Sequence, residues 1–178
     1  MNSSVTRLVE TLGASESSAP KAWGPVEADL GTSLPDDYKE LIDRMGGGRI
    51  EEYMYILEPD CPNGHYELVH HAREREESYE VLWMIEDKPP ELEVEGSGII
   101  PWATTDNGEF LFWRTLPGQR PDQWTVILNE ARGDRWEHYE MNCTDFLLAT
   151  LTGEVRSRIL WSAFPLEQHV FVKFSTES

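Results

Sequence analysis

The chain has 178 residues, of which 39% are apolar and 11% aromatic, a composition that builds a packed core and excludes a disordered chain. Its formal net charge of −18, from 33 acidic and 15 basic residues, argues against binding a nucleic-acid backbone and favours a basic partner. The cysteines, Cys61 and Cys143, form no CxxC pair, and no apolar run reaches the ~20 residues of a bilayer span, so a disulfide scaffold, a zinc knuckle and a membrane segment are not expected.

Val5, Leu8, Val9 and Leu12 share one face of a first helix that closes near Gly13. This start has no apolar core of a secretory signal, so a cytoplasmic protein is expected. The polar stretch ASESSAPKA, residues 14–22, leads to a short helix, WGPVEADLG, with Pro25 near its start and Gly31 past its end. A third helix follows in SLPDDYKELIDRMGGG. Pro35 suits its first turn, Asp36 and Asp37 favour the positive end of its dipole, and Tyr38, Leu41, Ile42 and Met45 form its apolar stripe. Gly46, Gly47 and Gly48 therefore lie at its carboxyl end, where carbonyls point outward, and Gly46 suits a left-handed cap. Phosphate loops place glycines before a helix, so this run ends a helix and holds no nucleotide.

RIEEYMYILEP has the aromatic and β-branched content of one or two strands, and DCPNG is a turn. HYELVHHAREREESYEVLWMIE is the longest helical segment, with Leu68 or Val69, Ala72, Glu76, Tyr79, Leu82 and Trp83 at helical spacing. The acidic, proline-containing DKPPELEVEGSG reads as a loop, a disordered excursion in preference to a partner contact. IIPWATTDNGEFLFWRT predicts a hairpin, with strands at Ile99–Thr105 and Glu109–Thr115 around a two-residue Asn107-Gly108 turn. Phe110 and Phe112 point to one face of the second strand and Leu111 and Trp113 to the other, so the strand is covered on both faces or lies at a ligand-contacting edge. WTVILNEA and RWEHYE add strands across a Gly133-Asp134 turn. In NCTDFLLATLTGE, Thr144 is the expected N-cap of a helix burying Leu147, Leu148 and Leu151. The alternating end of ILWSAFPLEQHVFVKF suits an edge strand.

The order and spacing of Leu34-Pro35, Tyr38, the glycine run, Pro101-Trp102, Asn107-Gly108, Trp113, Trp124 and the Phe146–Leu151 helix resemble the SUKH superfamily. The resemblance covers about residues 22–155 of a chain read as one domain, 1–178, with 1–21 and 156–178 outside it. It implies an α+β fold, in which a twisted, mostly antiparallel sheet is packed by N-terminal helices, a long central helix and a C-terminal helix. It also implies a non-enzymatic role. Many bacterial members look like immunity proteins that bind a toxin domain, often a nuclease, while fungal members are cell-wall assembly regulators.

The chemistry-bearing residues agree with that role. Glu67, His70 and His71 could share a metal on one helix face, but HExxH is absent and a solvated face explains them. Glu137 and His138 alternate on a strand and do not converge. No GxSxG elbow occurs, and neither cysteine has a basic neighbour to activate it. No catalytic residue, metal or cofactor is assigned. Tryptophan supplies both core area and interface anchors. Trp102, next to a turn carrying Asp106 and Glu109, is the expected anchor of a surface for a basic protein, extended by Asp134 and Glu137. The function that the resemblance implies, and with which the charge is consistent, is an immunity protein that occludes a basic, nuclease-type toxin domain. A regulatory scaffold for housekeeping proteins and a carbohydrate-binding module with tryptophan platforms stand as alternatives.

Overall fold

The computed structural model describes residues 1–16 and 19–176, so residues 17 and 18 of the polar connector lie outside the described residues. Helix α1 (Ser3–Thr11) buries Val5, Leu8 and Val9 and is capped by Asn2, whose side chain accepts from Ser4 N and Val5 N. Helix α2 (Trp23–Leu30) stops at Gly31 in the left-handed conformation. Helix α3 (Asp36–Met45) buries the expected stripe of Tyr38, Leu41, Ile42 and Met45.

The glycine run does end α3, though not by the expected left-handed helical cap. Gly46 has φ 75° but ψ 172°, an extended exit. The next two glycines answer to close packing. A Cβ on Gly47 would lie 2.7 Å from the Ile56 carbonyl, and one on Gly48 would lie 2.5 Å from the Phe171 ring and the Val172 carbonyl. These spacings are closer than a side chain tolerates, so here the backbones of three segments approach directly.

Strands β1 (Gly48–Ile50) and β2 (Met54–Ile56) form a tight hairpin with Glu51 and Glu52 both at φ 55°. That conformation disfavours L-residues, and contacts of the Glu51 side chain hold it. Its carboxylate accepts from Leu166 N at 3.1 Å and lies 2.6 Å from His169 Nδ1. After a 3-10 turn at Gly64–Tyr66 comes the long helix α4 (Leu68–Leu82), then α5 (Pro90–Glu93). Strands β3 (Gly98–Thr105), β4 (Phe110–Thr115), β5 (Thr125–Asn129) and β6 (Trp136–Tyr139) precede α6 (Cys143–Thr152) and β7 (Phe171–Lys173).

All seven strands pair antiparallel, in the order β6-β5-β4-β3-β2-β1-β7. On one face, Trp102, Leu111, Trp113, Val126 and Leu128 join Val5, Leu8, Tyr38, Phe146 and Leu151 of α1, α3 and α6 in the main core. On the other, Phe112 and Ile127 meet Tyr79 of α4 and Leu92 of α5, with Phe110, Trp83 and Trp136 packed around them. The apolar residues on both sides of β4 are explained by helices on both faces of the sheet. The segments outside the resemblance join the same structure. Helix α1 packs on α3 and α6, and the tail contributes Leu160, Phe164 and an edge strand, as expected from its alternation.

Three local expectations are corrected. Asn142 caps α6, accepting from Asp145 N at 2.8 Å, while Thr144 is fully buried and donates its hydroxyl to Asp37 at 2.8 Å. The acidic DKPPELEVEGSG segment packs: α5 buries Leu92, and Arg114 Nε donates to the Glu91 carbonyl at 2.8 Å. The β3–β4 loop has Gly108 N donating to Thr105 O and Thr105 N donating to Glu109 O. Gly108 has positive φ and Asn107 does not, so a three-residue loop replaces the two-residue turn.

Candidate protein-interaction surface

The five residues expected to meet a partner separate into exposed and enclosed sets. Asp106 and Asp134 are exposed on the β3–β4 and β5–β6 turns, at the same end of the sheet. The turns are neighbours, since a Cβ added to Gly108 would sit 3.5 Å from Ala131 Cβ. Trp102 is 1% exposed and packs edge-on against Phe146 in the main core. Trp102 faces the same core as Ile100, two residues before it, and is the extra residue of a bulge, since Pro101 pairs with Phe112 and Ala103 with Leu111. Glu109 is 4% exposed and accepts from Tyr53 OH at 2.9 Å, while that hydroxyl accepts from Trp161 N at 2.9 Å. Glu137 accepts from Ser157 Oγ and from Arg158 N, holding the tail. As folded, Trp102 and Glu109 present no surface to a partner, which corrects their expected placement. Arg132 and Arg135 flank Asp134, and Arg135 pairs with Glu130 at 2.9 Å, so this end of the sheet is mixed in charge.

Other acids also serve the fold. Asp37 accepts from Thr144 N, Thr144 Oγ and Cys143 Sγ, and Glu58 pairs with Lys21 at 3.2 Å. Both carboxylates are buried. The exposed charge is concentrated elsewhere, and α4 carries much of it.

Helix α4 begins at Glu67, whose side chain accepts from His70 N at 2.9 Å. Tyr79 anchors it to the sheet, donating its hydroxyl to Asn129 Oδ1 at 2.6 Å, and burial pushes that phenol up to about 12. Arg75 lies over the Phe110 ring at 4.7 Å. At its carboxyl end the sequence Val81-Leu82-Trp83-Met84-Ile85 outruns the core. Leu82 and Trp83 turn inward, while Val81, Met84 and Ile85 stand 63%, 79% and 82% exposed. Glu77, Glu80, Glu86 and Asp87 are exposed around them. Aliphatic side chains this bare, ringed by carboxylates, form an apolar patch of the kind that marks interaction sites. A helix of period 3.6 can bury at most two or three of five consecutive apolar residues, so the run itself was the available sequence signal.

A cleft lies on each flank of α4. One, of about 420 Å³, runs between α4, α2 and β3 and is lined by Asp29, Leu30, Glu76, Tyr79, Trp83 and Ile99 among others. The second, of about 330 Å³, lies between α4 and the two turns, from Leu82 and Glu86 to Gly108 and Arg132.

The groups considered for catalysis do not converge. Among the described residues no three His, Cys, Asp or Glu side chains are placed to hold a metal ion. His71 Nε2 lies 2.5 Å from the His65 carbonyl, and Glu67 is engaged as a cap. His138 contacts Thr125 Oγ1 at 2.8 Å, on the face opposite Glu137, and burial together with Arg114 lowers its pKa. Burial pushes the Cys61 thiol up to about 12 and the Cys143 thiol well above its ordinary value, the reverse of nucleophile activation. Among the described residues no helix is long and apolar enough to cross a membrane.

A family model described as the SMI1 / KNR4 family (SUKH-1) matches residues 20–149. No curated protein and no solved structure matches the chain.

Proposed function

This chain belongs to the SMI1 / KNR4 family (SUKH-1), a family of non-enzymatic protein-binding modules, and we propose that it is a cytoplasmic immunity protein that occludes a basic toxin domain. The observation that carries the surface assignment is the carboxyl end of α4, where Val81, Met84 and Ile85 project into solvent inside a ring of acids. A nuclease-type toxin needs a cationic groove to hold its substrate. The −18 charge steers such a domain inward and speeds encounter. The three aliphatic side chains then give up their water against it, and the surrounding carboxylates set the register. Asp106 and Asp134 on the neighbouring turns extend the rim. No bond is made or broken; the toxin is blocked because its substrate surface is covered.

Co-expression with the C-terminal domain encoded by the adjacent gene tests this reading, scored as rescue of growth. Rescue by this chain is the expected result. Failure to rescue, together with an adjacent gene of housekeeping type, would replace the immunity role with a regulatory scaffold.

A further inference from the structure

We infer that the cleft between α2, α4 and β3 is an anchor site for an arginine side chain of the protein partner, a refinement that rests on the protein-binding role proposed above. Its floor is apolar and aromatic: Tyr79 and Trp83 from α4, Leu30 from α2, and Ile99 and Ile100 from β3. Trp83 is half-buried, held against Tyr79 and Trp136 with ring centroids 5.3 and 5.8 Å away, so the indole is fixed in place before anything arrives. Its rim carries the carboxylates Asp29, Glu76 and Glu80. Among the described residues none of these three has an intramolecular ion pair or hydrogen bond, in contrast to the carboxylates of Asp37, Glu51, Glu58 and Glu109.

That combination selects one side chain. An arginine stem is aliphatic and suits Ile99, Ile100 and Leu30, while its planar guanidinium stacks on an indole and donates to carboxylates in the same plane. A lysine supplies charge but no plane, and an aliphatic group would leave the acids unanswered. The volume of about 420 Å³ admits one such side chain with part of its backbone. Arg73 lines the same cleft and, among the described residues, has no carboxylate within ion-pair distance. It therefore acts against an incoming cation, which gives the assignment a signature of opposite sign.

The test is a titration of the ¹⁵N-labelled full chain with acetylated tetra-arginine amide, beside the tetra-lysine and tetra-glutamate peptides, followed by amide and indole shifts. Tetra-arginine is expected to shift the Trp83 indole and the amides of residues 28–31 and 73–83, more tightly than tetra-lysine, with tetra-glutamate silent. D29N/E76Q/E80Q should weaken tetra-arginine binding about fivefold, on the scale of partly exposed ion pairs, and R73A should tighten it. All four positions are on exposed surface, and unchanged thermal melting confirms an intact fold. Shifts spread over the acidic surface without the Trp83 indole, or equal affinity for the triple variant and the parent, would overturn the anchor. Growth rescue by that triple variant separates the two claims: full rescue with lost peptide binding discards the cleft and leaves the immunity role standing.

Discussion

Replacing both Met84 and Ile85 with serine removes the apolar centre of the proposed contact without altering the net charge. The two side chains stand 79% and 82% exposed, so almost all of their surface is available to a partner and little of it supports the fold. Burying a side chain of this size is worth about 1.5–3 kcal/mol. Part of that gain is lost to ordering the contact on association, so the pair should contribute about 2–4 kcal/mol. Kd for the cognate domain should then rise by about 30- to 700-fold, mostly through faster dissociation. Calorimetric titration measures this directly, and urea unfolding of the free variant should stay within about 0.5 kcal/mol of the parent. A Kd within threefold of the parent, with the fold intact, would refute the assignment of α4 as the docking element.

Asp37→Ala removes the acceptor of three donors at the start of α6, two of them on Thr144, and should cost about 3 kcal/mol, a fall of roughly 6–12 °C in Tm. Gly48→Ala should drive Phe171 and Val172 away from β1. Amide exchange should then accelerate at Glu51 and Phe174, which bond across this junction, while Leu111 and Ile127 in the central strands stay protected. Alkaline pH should destabilise the fold. Burial raises the Cys61 thiol from 9.0 and the Tyr79 phenol from 10.0, each to about 12 in the folded state, so their contribution is complete below pH 9 and is lost as pH rises from 9 toward 12. The urea midpoint should therefore be lower at pH 10.5 than at pH 8, and an unchanged midpoint would contradict the burial of these groups.

The fold was legible because its elements announce themselves locally. The stripe of α3, the two-faced apolar pattern of β4 and the alternation in β7 each follow from a period of 3.6 or 2 that survives without tertiary help. The site was less legible, for a physical reason seen at Trp102. Both faces of the sheet are covered there, so a tryptophan beside a polar turn meets core and not solvent, which the turn's composition does not reveal. Glu109 shows a second limit. A carboxylate beside a turn reads as solvated, yet Tyr53, distant in sequence, encloses it and supplies its donor. The cap at Asn142 and the packing of α5 depend on neighbours in the same way. Conversely, the exposed end of α4 was written in the sequence as an apolar run too continuous for one helix face.

Stoichiometric titration of toxin activity tests occlusion most directly. With the cognate toxin domain held well above Kd, activity should fall linearly with added protein, reach zero at equivalence, and return in full when the complex is separated in high salt. Loss of all activity at a small fraction of equivalence, or an altered toxin after separation, would contradict an inhibitor that works by covering a surface.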